Sequence, residues 1–240
     1  MRGVRNLSGL AGPNASLKDA GGGGGVGIEI VGSATASSTS SFPSLDLSAL
    51  TIEENDTIVI FASSYYGPYA ILDQGGDNLH RYYRSSGYTY LGGNNVKPSQ
   101  NKDALLVYKG ELAAGQTTVT PNYAGHSGVV SGLVVRGKLG RFRIDEGTPG
   151  SSDFGTGTNG AGALVFAVEA GAAGNFNGSA TPPTGFTSYG LLSPGSGNVA
   201  MYASYKENAS ANETPSRWGH GAGQNSYNLA INLSFEVQNE

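Results

Sequence analysis

Three histidines, His80, His126 and His220, stand among glycines and polar residues at wide separations. A metal site draws on imidazoles and carboxylates gathered at short spacing, so these three read as loop-surface histidines. The chain has no cysteine, which removes thiolate nucleophiles, disulfides and thiolate-bound zinc. Serine is abundant, but the Gly-X-Ser-X-Gly elbow between a strand and a helix is missing, and 193–197 (SPGSG) echoes it without either flank. Glu53, Glu54 and Asp56 cluster just ahead of an apolar run, where charge marks a solvated turn more often than a glycosidase pair. Asp73 and Asp77 flank Gly75 and Gly76 but lack the closing glutamate of a calcium loop. Five glycines at 21–25 lack the strand, helix and Lys-Ser/Thr ending of a phosphate loop. The expectation is a chain that is not an enzyme and carries no cofactor and no metal.

What remains is contact chemistry. Arg136, Lys138, Arg141 and Arg143 place four of the fourteen basic residues within eight positions (RGKLGRFR). A net charge of −4 gives the whole chain no footprint for nucleic acid, so this run reads as an exposed basic connector meeting acidic groups of its own or a neighbouring subunit. Tyr65, Tyr66, Tyr69, Tyr82 and Tyr83, with Tyr88 and Tyr90, fall within 26 positions among Gly, Ser, Asn, Arg81 and Arg84. Rigid rings mixed with small polar residues make adaptable contact surfaces. They would pack on a neighbouring subunit or, as the rival reading, stack on sugars. Trp218, beside Arg217 and His220, belongs to the same class, as a half-buried wedge or a sugar platform.

The elements that must carry these groups are β-strands. Glycine makes up 39 of 240 residues with no Gly-X-Y period, charged residues are only 13%, and tyrosine (13) outnumbers phenylalanine (8), the balance of a turn-rich all-β protein. Apolar or alternating runs at 26–31, 57–62, 104–109, 116–120, 129–136, 163–169, 199–206 and 228–237 predict strands. Residues 46–52 could form at most one helical turn. No stretch approaches the ~20 apolar residues of a membrane span, and the first ten residues lack the apolar run of a signal peptide. Residues 1–26 carry no period that buries a face and end in a glycine run that is costly to order. They read as an attachment arm, with Arg2, Arg5, Leu7, Leu10 and Leu17 as its partner contacts.

An internal echo runs through residues 42–137 and 160–237. Each half reads apolar strand, Ser/Thr-Gly-aromatic-Thr turn (86–89, then 184–187), a strand with Tyr-Lys (108–109, then 205–206), and a final alternating strand. Each half alone would be marginal, so the echo fits one antiparallel β-sandwich of jelly-roll type over 27–240, with interleaved halves joined by a connector at 138–159.

The ordered set of pieces at 55–60, 86–89, 107–109, 134–137, 182–187 and 205–206 resembles a β-sandwich domain that recurs in virion structural proteins of tailed bacteriophages. The resemblance covers about residues 42–237 and implies a non-enzymatic virion component, in a fibre, an appendage or a surface decoration. It brings no catalytic residue set. The implied partners are other virion proteins, such as a major capsid or tail protein, further copies of the chain in a homo-oligomer such as a trimer, and, on the rival reading, a host surface glycan. A short arm and a compact body favour capsid decoration over a tail appendage.

Overall fold

The structure, a computed structural model, describes residues 27–40, 43–64, 89–95, 104–120, 128–147, 154, 157–171, 180–192, 200–219 and 229–238. Twelve strands occur in them: β1 (Glu29–Ser38), β2 (Leu45–Asp46), β3 (Thr57–Ser64), β4 (Thr89–Asn95), β5 (Ala104–Glu111), β6 (Thr118–Val119), β7 (Gly128–Arg136), β8 (Lys138–Gly147), β9 (Ala163–Gly171), β10 (Thr187–Leu192), β11 (Ala200–Ala209) and β12 (Leu229–Gln238). The described residues contain no helix, and every strand pairing is antiparallel. The protein is an all-β sandwich. Residues 46–52 hold no helix: Asp46 belongs to β2 and 47–50 form a turn, with Leu50 N–H donating to the Leu47 carbonyl at 2.9 Å.

One five-stranded sheet runs β1-β7-β3-β5-β4 and the other β8-β12-β9-β11-β10, with β2 and β6 forming a small separate pair. The halves do not interleave. Everything in the first large sheet precedes Gly137, and everything in the second follows it. Successive strands therefore stay in one sheet, whereas jelly-roll connections would carry them back and forth between two. Counting only the large-sheet strands, both sheets have the order first, fifth, second, fourth, third. The third strand of each carries a bulge at a matching place, between Tyr90 and Gly92 in β4 and between Ser188 and Gly190 in β10. A bulge bends its strand and strengthens the local twist, which both edges share.

The crossing from one sheet to the other takes a single residue. Arg136 ends β7, Lys138 begins β8, and Gly137 between them sits at φ 109°. A side chain there would be strained by the backbone conformation alone, since its Cβ would meet Ile28 at 3.4 Å, an ordinary contact. Residues 138–147 are therefore a strand, not the first part of a connector. Sequence periodicity fails there because Gly140 and Arg141 oppose the single residue Glu236. That bulge spaces the apolar positions Leu139, Phe142 and Ile144 unevenly.

The main core lies between the two sheets. Val59, Phe61, Val107 and Leu133 from the first meet Phe166, Val168, Met201 and Leu233 from the second, all at most 1% exposed. Phe61 and Phe166 touch across the interface with ring centroids 5.4 Å apart. Strands buried on both faces read as continuous apolar runs, and 57–62 and 163–168 do so because each sheet is also roofed on its outer side. Leu45, Leu47, Ile52 and Val119 cover the first sheet. Leu45 approaches closely because Gly132 beneath has no side chain, and a Cβ there would lie 2.9 Å from Leu45 and 2.8 Å from Ile58. Phe154, Phe186 and Trp218 cover the second sheet.

Candidate functional site

The basic run divides into two environments. Arg136, at the end of β7, is a satisfied hub. Its Nε and Nη2 donate to the two oxygens of buried Asp56 at 3.0 Å each, and Nη2 donates also to the Thr51 carbonyl at 3.1 Å. Its Nη1 reaches Glu53 at 3.2 Å and Glu29 at 3.5 Å. The fork of donors matches a carboxylate bidentately, and the hydrogen bond to Asp56, with the charges of Asp56, Glu53 and Glu29, holds the guanidinium above its ordinary pKa against a smaller opposing cost of burial. Asp56 also accepts from Glu53 N–H at 2.8 Å. Asn55 precedes it in the left-handed region at φ 68°, which asparagine tolerates better than most residues. Of the acidic trio read from the sequence as a solvated turn, Glu53 and Glu54 are exposed, whereas Asp56 is buried and, with Glu53 and Glu29 on Arg136, clamps together β1, the 51–56 turn and β7.

Beside the clamp lies a polar groove of about 610 Å³, whose walls include Glu54, Lys109, Glu111, Lys138 and Gln238 over Leu139. Charges of both signs line it, and no aromatic ring does. Among the described residues no group of three or more His, Asp or Glu is placed to hold a metal ion.

The rest of the basic run lies on β8, which among the described residues is an edge strand of the second sheet paired with β12. Lys138, Arg141 and Arg143 are exposed. Phe142 packs on Phe235 with centroids 6.2 Å apart yet stays 43% exposed, the one large apolar side chain so exposed among the described residues. Partial burial pushes the Asp145 carboxyl above its usual pKa, opposed by the charge of nearby Arg143.

Trp218 is neither a wedge at the surface nor a platform. It is 1% exposed and stacks on Tyr202 with centroids 5.1 Å apart and planes 29° apart. Its Nε1 donates to the Ala167 carbonyl at 3.4 Å. Next to it Arg217 pairs with Glu169 on β9, and its guanidinium lies 5.5 Å from the Phe154 ring centre. Nothing in the sequence announced this pair, because Glu169 sits at the end of an apolar run and Arg217 lies 48 residues away. Tyr65, Tyr66, Tyr69, Tyr82 and Tyr83, the three histidines, Asp73 and Asp77, and the arm residues Arg2, Arg5, Leu7, Leu10 and Leu17 lie outside the described residues.

Burial, reinforced by the negative charge of Glu169, pushes the Tyr202 hydroxyl up to about 12. Burial also raises Tyr189, whose hydroxyl faces Ser131 without closing a hydrogen bond, and Tyr205. An unfolded tyrosine ionises near pH ~10. The neutral phenol of Tyr202 therefore supports the fold fully below that pH, and the contribution is lost as pH rises through about 12. Denaturation midpoints should hold on the neutral side of pH ~10 and fall above it, by up to roughly 2–3 kcal/mol from this residue. The fall should be shallower in Tyr202→Phe, and an identical alkaline profile in the variant would refute the assignment.

Compared with protein-family models, with curated proteins and with solved structures, the chain finds no match in any of the three.

Proposed function

We propose that the chain is a non-enzymatic structural component of a tailed-phage virion. Residues 1–26 attach it to another virion protein, and the sandwich is displayed on the particle, as a capsid decoration in preference to a tail appendage. The observation that carries this reading is the ordered set of sequence pieces, together with the places they occupy in the fold. The Asn55–Asp56 piece is the turn into β3, and the Arg136–Gly137 piece is the corner into β8. Thr89 and Thr187, the last residues of the Gly-aromatic-Thr pieces, begin β4 and β10, the third strand of each sheet, and the Tyr-Lys pieces lie on β5 and β11, the strands these pair with. A roofed, doubly buried sandwich supplies a rigid body for display, and a short arm that orders on its partner supplies attachment without enlarging the core.

Particles assembled with the full chain should retain it through purification, and particles offered the chain without residues 1–26 should not. Retention of the truncated chain would end the attachment role of the arm. Loss of binding to host polysaccharide in Tyr65→Ala with Tyr82→Ala, with incorporation intact, would replace display by glycan binding.

A further inference from the structure

The β8 edge is written for a second copy of this chain. From Phe142 to Gly147 the strand is regular, each residue in register with β12 from Phe235 to Ala230. Among the described residues no strand pairs with its other side. A long regular edge offers unpaired backbone donors and acceptors to any extended chain, and folds usually blunt it with charge or a bulge. Here the bulge at Gly140 and Arg141 spares the six residues beyond it. In those six, Phe142 and Ile144 share the face of their core partners Phe235 and Leu233, while Arg143 and Asp145 share the opposite face with Ser234 and Asn232.

This spacing is self-complementary. Directly opposed residues of an antiparallel pair lie on the same face within ~5 Å of each other. When two copies of β8 pair antiparallel about Ile144, Arg143 of each opposes Asp145 of the other, and the two Ile144 side chains meet flanked by Phe142. Sliding the centre by one residue sets Arg143 against Arg143 or Asp145 against Asp145. Centring on Phe142 sets Arg141 against Arg143. Centring on Arg143 brings Arg141 opposite Asp145 but sets Arg143 against Arg143, so of the registers centred from Phe142 to Glu146 the Ile144-centred one alone opposes charges of opposite sign without setting like charges together. An isologous contact about a two-fold axis has this property of self-matching.

We infer that the chain forms a two-fold homodimer by antiparallel pairing of β8 with β8 centred on Ile144, extending the second sheet across the contact. The occupant is the chain itself, since the arginine and aspartate that alternate along this one strand satisfy each other across the axis. The exposed face of Phe142 is covered in the same step. The inference does not rest on the virion reading and holds for the full chain in dilute solution.

Sedimentation equilibrium of the full chain tests it. The wild type should be a dimer that dissociates more readily at high salt, because its cross-axis pairs sit at the rim of the contact. Arg143→Asp and Asp145→Arg should each raise the dimer Kd by at least about tenfold, since two like-charge pairs replace two attractive ones. The double variant Arg143→Asp with Asp145→Arg restores opposite charges and should dimerise like the wild type. Circular dichroism and melting of each variant separate loss of pairing from loss of fold. A monomeric wild type, a trimer insensitive to Arg143, an acidic partner strand that binds β8 in place of a second copy, or a double variant that stays monomeric would each overturn the proposal.

Discussion

Replacing Arg217 by methionine should cost the fold about 3–5 kcal/mol, because it strips the cation from a carboxylate buried under the roof of the second sheet. Glu169 is 1% exposed, and Arg217, at 8% side-chain exposure, is nearly as deep. Water can replace little of what the guanidinium supplies there. A buried carboxylate deprived of its cation must stay ionised at high cost or take up a proton. Denaturant midpoints of wild type and variant at neutral pH read the loss directly. The companion test is Glu169→Leu combined with Arg217→Met, which removes both charges and should recover most of the stability, since apolar replacement of a buried pair is often neutral or better. A loss under ~1 kcal/mol in the single variant would be the behaviour of a solvated surface pair, and would mean that the roof over β9 opens to water.

Phe166→Ala should be comparably damaging, at about 3–5 kcal/mol, by opening a cavity between the sheets. The ring touches Phe61 of the first sheet at 5.4 Å, Phe235 at 6.2 Å and Tyr189 at 6.4 Å, so three strands besides its own close around it. Because it contacts both sheets, its removal should lower one cooperative transition. Two separate transitions, one shifted and one unmoved, would show that the sheets unfold independently. Phe142→Ala supplies the contrast. Its ring is 43% exposed on the edge strand, and in the monomer its loss should cost less than ~1 kcal/mol.

The strands easiest to read were those with apolar residues on both faces. Residues 57–62, 104–108 and 163–168 were legible as strands because burial on both sides leaves no charged interruption, 129–136 because only Ser131 interrupts its apolar residues before Arg136, and 228–237 because its apolar residues recur with a strict period of two. β8 and β10 were not, since each carries a bulge that breaks the period of two. β4 was hidden as well, by its own bulge and by the adjacent glycines Gly92 and Gly93. The site was less legible than the fold. Four basic residues in eight positions looked like one patch, but Gly137 turns the chain between the first and the second, which sends Arg136 into a clamp and Lys138, Arg141 and Arg143 along an edge. Trp218 reads in sequence as a half-buried wedge or a sugar platform, because Arg, Gly and His surround it, yet it is 1% exposed. Its partner Tyr202 comes from a strand sixteen residues earlier, which only the fold could supply.

Leu45 and Val119 lie over one broad side and Phe154 and Trp218 over the other, so among the described residues neither large sheet presents its outer face bare. In the proposed pairing of β8 with β8, two copies would therefore join edge to edge within one layer, with their roofs facing outward.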